Sequence, residues 1–214
     1  ADTGMIEPAD YNSVDGRTSV PLHLAARESV FVVFRRPSTS PSRTSQRASV
    51  TTLATVDGPW TINFPSNLGA PPSLQLAQLE SWTANTDTGV KYFSGTATYA
   101  KTFQAPRAWF RPNARILLNL GSVGDLAEVS INGKALGMLW KQPYEVDVTQ
   151  VFKPGANTLE IKVTDEWTNR IIGDRSAGPD KKVLSTLPQS FGPPPSLAES
   201  GLIGPVRILS LSPR

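Results

Sequence analysis

A chain of 214 residues with no cysteine and one histidine, His23, can form neither a disulfide nor a thiolate metal site, and it lacks the second imidazole of a two-histidine metal motif. Its 21 basic and 18 acidic residues leave a net charge of +3, too slight an excess to point to nucleic acid. The longest apolar run, residues 30–34, is far too short to span a bilayer, while 39% hydrophobic content suffices for one large β domain or two small ones.

A strand period of two runs through most of the chain. Val20, Leu22 and Leu24 alternate around Pro21, His23 and Ala25 and predict a strand; FVVF at 31–34 is a short apolar run suited to a buried one. Residues 35–47, rich in Ser, Thr and Pro, read as a loop. Its cluster of Arg35, Arg36, Arg43 and Arg47 reads as solvated, because no aromatic side chain is interleaved to stack a base. A strand at 50–56, the Asp57-Gly58 turn signal and WTINF at 60–64 predict a hairpin. Residues 65–73 break regular structure, and 74–79 fit one helical turn or an edge strand.

Longer strands follow. YFSGTATYAKTF at 92–103 alternates with Phe93, Ala97 and Tyr99 on one face, and ARILLNLG at 114–121 is another strand. AEVSINGKALGML at 127–139 predicts a hairpin on Asn132-Gly133, since both residues tolerate positive φ. YEVDVT at 144–149, TLEIKVT at 158–164 and VRILSLS at 206–212 alternate again. Between Trp167 and Ile203 lies a long segment without strand alternation, holding a Pro run at 193–195. No helical period persists for three turns anywhere. Many short strands divided by Gly and Pro turns predict an all-β fold, a sandwich or barrel.

No catalytic pattern stands out. His23 lies in an alternating segment and reads as structural, and no carboxylate pair is marked by its surroundings. Calcium is a possible ligand, held by Asp165, Glu166, Asn169, Asp174 and Asp180, although their spacing is not that of an EF-hand. Sugar contact fits better, because sugar C–H faces stack on aromatic rings and hydroxyls need fixed polar partners. Trp60 alternates with Ile62 and Phe64 and reads as core. Trp140 is followed by Lys141, Gln142 and Tyr144. Trp167 follows a strand and precedes Asn169, Arg170 and Asp174. These make the candidate binding set: Trp140, Lys141, Tyr144, Trp167, Asn169, Arg170 and Asp174. The competing possibilities are that Trp167 plugs the end of a sandwich while Arg170 pairs with Asp174, or that this end docks another domain.

The run TATYAKTF, followed by ILLNLGSVGDLAEVSINGKALGMLWKQPYEVDVTQVFKPGANTLEIKVT, resembles the jelly-roll, galactose-binding-like sugar-binding domain of large glycoside hydrolases related to β-galactosidases. The shared features are the hairpin with Val129, Ile131, Asn132, Gly133 and Gly137, the strand from Pro143 to Thr149, and the strand from Gly155 to Val163. With ESVFVVF at 28–34, SWTANTDTGVKYFSGTATY at 81–99, EWTNRIIGD at 166–174 and SGLIGPVRI at 200–208, nearly the whole chain resembles the C-terminal part of family 106 α-L-rhamnosidases.

The resemblance implies a jelly-roll β-sandwich over 80–214, with residues 1–79 adding strands as an extra sheet or as the remnant of a preceding β domain. It also implies a secreted or periplasmic bacterial parent that removes L-rhamnose from plant or algal glycans, with catalytic carboxylates in an upstream barrel that nothing here matches. The chain itself, which opens ADTGM with no visible signal peptide, then reads as an excised, non-catalytic piece without a cofactor. Its expected partner is a rhamnose-containing glycan or the parent's catalytic domain. The rival functions are a ligand-free structural spacer and a fragment retaining part of an active site.

Overall fold

The computed structural model describes residues 4, 6–24, 26, 28–45, 48–186 and 196–212; Ala25, Arg47 and the Pro run at 193–195 lie outside them. A small sheet comes first, ordered β2-β1-β3 from β1 (Tyr11–Val14), β2 (Arg17–Ser19) and β3 (Ser42–Arg43). The next strands are β4 (Ser49–Thr55), β5 (Trp60–Asn63), β6 (Ser73–Leu76), β7 (Gly95–Ala105), β8 (Arg115–Asn119) and β9 (Ser122–Val123). The chain closes with β10 (Leu126–Ile131), β11 (Lys134–Leu139), β12 (Glu145–Asp147), β13 (Gly155–Asp165), β14 (Leu202–Gly204) and β15 (Arg207–Ser212). Among the described residues two α-helices interrupt the strands, α1 (Thr88–Lys91) and α2 (Thr168–Ser176).

The sandwich is made of a six-stranded sheet, β11-β10-β13-β7-β5-β6, and a four-stranded sheet, β12-β8-β15-β4, with β14-β9 as a short pair. Every pairing is antiparallel, so one face of each strand can be apolar and the other polar. Along β13, Leu159, Ile161 and Val163 are buried while Thr158, Glu160 and Lys162 are exposed. Ala127, Val129 and Ile131 of β10, Ala97 and Tyr99 of β7, and Trp60 and Ile62 of β5 join them. Ile116 and Leu118 of β8 and Ile208 of β15 supply the buried residues of the other sheet. Each such aliphatic side chain contributes about 1.5–3 kcal/mol by leaving water.

An aromatic cluster fills one end. Trp82 lies parallel to Tyr99 with ring centroids 6.4 Å apart and meets Phe93 edge-on at 5.0 Å, while Phe64 meets Phe93 at 4.9 Å. The Tyr99 hydroxyl accepts a hydrogen bond from the Leu202 N–H at 2.9 Å, and burial pushes its pKa well up. Gly201 sits against this cluster at φ +83°, where a Cβ would come within 2.6 Å of the Trp82 ring and 2.7 Å of the Tyr99 oxygen. Gly201→Ala is therefore expected to cost about 2–3 kcal/mol, from overpacking and the left-handed backbone together, read as a lowered urea midpoint at constant slope.

Several sequence expectations are corrected here. Residues 20–24 and 30–34 form no strand, and Leu22, Leu24, Phe31 and Phe34 are exposed, because no layer among the described residues covers them. The segments 50–56 and 60–64 are strands but not a hairpin. β4 pairs with β15 in one sheet and β5 with β6 and β7 in the other, so the chain crosses the sandwich at Gly58. Of residues 74–79, the first three belong to the edge strand β6 and 77–79 lie beyond it. Of the strands before residue 80, β4, β5 and β6 pair within the two large sheets, while β1–β3 form a small sheet apart from them. No helix among the described residues is long and apolar enough to cross a membrane.

Candidate functional site

Strand register places Trp140, Lys141 and Trp167, three of the seven expected site residues, at one end of the six-stranded sheet. Ala127 at the start of β10 lies opposite Leu139 at the end of β11, and Leu126 lies opposite Thr164 near the end of β13. Trp140 and Trp167 therefore follow strand ends that lie two strand spacings, about 10 Å, apart. Trp140 is 51% exposed, with the Lys141 ammonium 5.9 Å from its ring, and Trp167 is 44% exposed.

Tyr144 is buried and donates its hydroxyl proton to the Asp125 carbonyl at 3.0 Å. It also walls a shallow recess of about 400 Å³ with Ala26, Asn119, Gly121, Gln142 and Pro143. Tyr144 thus forms the side of a recess, whereas the two tryptophans present open rings.

Asn169, Arg170 and Asp174 go elsewhere. They project from α2 into the protein and are almost wholly buried. Asn169 exchanges two hydrogen bonds with the backbone of Ala198, at 2.8 and 2.9 Å. Arg170 pairs with Asp174 at 2.9 Å, one helical turn away, and its guanidinium lies 6.0 Å from the Tyr92 ring. Asp174 also accepts from the N–H groups of Val183 and Leu184, the latter at 2.7 Å. The polar half of the expected sugar constellation is spent on holding the 183–184 and 198 segments against the sandwich.

The helix that carries these residues is absent from the sequence expectations, for a physical reason. α2 has nine residues and no side-chain N-cap, so it depends on tertiary contacts. Its buried face is Asn169, Arg170, Gly173 and Asp174, which leaves no apolar period to detect. Gly173 lets the helix lie on Tyr92, whose ring carbon would be 2.6 Å from a Cβ there.

An acidic group borders the same end. Asp125 accepts from the Glu166 N–H at 2.8 Å, and Asp165 accepts from the Gly201 N–H at 2.8 Å. The Asp165 carboxylate fills the space where a Cβ of Gly124 would stand. Burial raises its pKa, the Gly201 N–H opposes that, and the neighbouring Asp125 and Glu166 add to it; the outcome is about 7. The five residues named as possible calcium ligands differ in their surroundings. Asn169 and Asp174 are engaged internally, Asp165 faces Gly201, and Asp180 is exposed in the turn Pro179–Lys181. Among the described residues no three His, Asp or Glu side chains gather as a metal site.

Comparison with known proteins places these features in context. The family model described as glycosyl hydrolase 2 galactose-binding domain-like matches residues 77–186. A Formosa agariphila protein with a provisional β-glucuronidase name is 40% identical over 174 residues, which is 71% of this chain and 15% of that protein. The structure of a rhamnosidase from Novosphingobium sp. PP1Y matches at a TM-score of 0.88 and 42% identity, covering 98% of this chain and 20% of that one. A β-glucuronidase from an uncultured Clostridium sp. shares the fold, at a TM-score of 0.55 and 21% identity over 85% of this chain and 31% of its own. This chain thus spans a fifth or less of the length of the rhamnosidase and of the curated relative.

Proposed function

The chain belongs to the glycosyl hydrolase 2 galactose-binding domain-like family, and from that premise we propose that it is a non-catalytic, carbohydrate-contacting domain of a longer α-L-rhamnosidase-like enzyme, of the family 106 kind. The observation that carries this reading is the match of nearly the entire chain to one fifth of a rhamnosidase at 42% identity. The geometry adds the means. Trp140 with Lys141, and Trp167, present half-exposed rings at one end, and the network of Asn169, Arg170 and Asp174 braces the helix that follows Trp167. Sugar faces stack on such rings, and the recess lined by Gln142, Pro143 and Tyr144 begins two residues after Trp140. The extracellular glycans that such enzymes degrade support a secreted or periplasmic location.

Calorimetric titration of the chain with L-rhamnose and rhamnose-containing oligosaccharides tests this. Saturable heat is expected, with affinity lowered about tenfold in Trp140→Ala or Trp167→Ala, the loss that one aromatic contact accounts for. Heat that is absent with every glycan removes the binding role and leaves a structural domain. Release of rhamnose from an aryl rhamnoside by this chain alone removes the non-catalytic one.

A further inference from the structure

We propose that residues 30–34 are a β-strand of a sheet supplied by another part of the longer polypeptide. This rests on the reading of the chain as one domain of a larger enzyme. The segment is five consecutive β-branched or aromatic residues, Val30, Phe31, Val32, Val33 and Phe34. In a strand Phe31 and Val33 would face one side and Val30, Val32 and Phe34 the other, so both sides are apolar. That is the pattern of a strand covered on both faces, not of one with a wet side.

Here the segment has no strand pairing, with Phe31 84%, Val33 64% and Phe34 74% exposed, and Val30 and Val32 43% and 41%. Burying a side chain of this kind contributes about 1.5–3 kcal/mol, so a soluble protein that leaves five together uncovered lacks their cover. The run ends at Arg35, Arg36 and Pro37, two exposed cations and a residue with no N–H to continue a ladder.

The likeness to the rhamnosidase supports this occupant. Its match covers 98% of this chain, so the segment belongs to the shared part, and four-fifths of that polypeptide lies outside the match and is available to cover it.

Hydrogen–deuterium exchange on this 214-residue chain and on the full product of its gene tests the assignment. The amides of 30–34 are expected to exchange near their intrinsic rate in the chain and at least about a hundredfold slower in the longer protein. The double variant Phe31→Asp/Phe34→Asp should abolish that protection in the longer protein and leave the Tm of the 214-residue chain unchanged. Equal exchange in both proteins would overturn the proposal. So would concentration-dependent protection of the chain alone, which would assign the segment to a second copy, or a gene that ends with these residues. The sugar titration is read independently, so loss of glycan binding and loss of this interface are distinguishable.

Discussion

Asp174→Ala is expected to lower the unfolding free energy by about 3–5 kcal/mol, the cost of removing one partner from a buried ion pair. The carboxylate is fully buried and serves three donors at once: the Arg170 guanidinium and the N–H groups of Val183 and Leu184. Arg170, only 5% exposed and with its Nε already lacking a hydrogen-bond partner, would be left as an uncompensated buried cation. The double variant Arg170→Met/Asp174→Leu should recover only the share due to the stranded cation, because apolar groups replace the pair at little cost while the Val183 and Leu184 N–H groups still lose their acceptor. Urea unfolding of the three proteins checks this. A single variant as stable as the parent would mean that the pair is solvated in solution, and would return both side chains to the list of possible sugar contacts.

Asp165 gives the second large effect, and it depends on pH. Its carboxyl keeps a proton up to about pH 7 in the folded chain, whereas an unfolded aspartate releases it near pH 3.9. Between those values the folded state binds more protons, so stability falls as pH rises through the window, by at most about 1.4 kcal/mol per pH unit and about 4 kcal/mol in all. Above pH 7 this contribution is flat. Asp165→Asn keeps an oxygen to accept from the Gly201 N–H and removes the titration. The difference in stability between variant and parent should therefore grow from pH 4 to pH 7 in favour of the variant. A difference independent of pH would place the Asp165 titration at its ordinary value, and the carboxylate in water.

How far the sequence reveals this molecule depends on where each signal originates. The hairpin at 132–133 was legible because its requirement is local: Asn132 and Gly133 adopt φ of 52° and 78°. The Asn132 side chain then ties the turn to the Val151 carbonyl and to Asn157, so the spacing of the two asparagines reflects one hydrogen-bond network. Alternation in β10 and β13 was legible because one side of each faces the other sheet.

Gly58 misled because its glycine serves close approach and not a hairpin: a Cβ there would be 1.9 Å from the Ala77 carbonyl oxygen. For 30–34 the sequence reports a burial that the described residues do not provide. At the candidate site, Trp140 and Trp167 could be picked out as aromatic residues following strands. Which way Asn169, Arg170 and Asp174 point could not, since the same three residues after a tryptophan serve a ligand or a buried pair equally well. Only the placement of α2 against Ser94, Tyr92 and the 183–184 segment decides it.

The pairing of β4 with β15 also governs how the molecule comes to be folded. Ser49 lies opposite Ser212, 163 residues away along the chain, so the strand made first in the sandwich has its neighbour made last. During synthesis β4 must wait for β15, the last strand of the sandwich, and contacts of such long range slow the search for the native topology. Joining position 212 to position 49 by a short linker would turn the most distant partners into a local hairpin. The same sandwich would then be reached by a different and faster route.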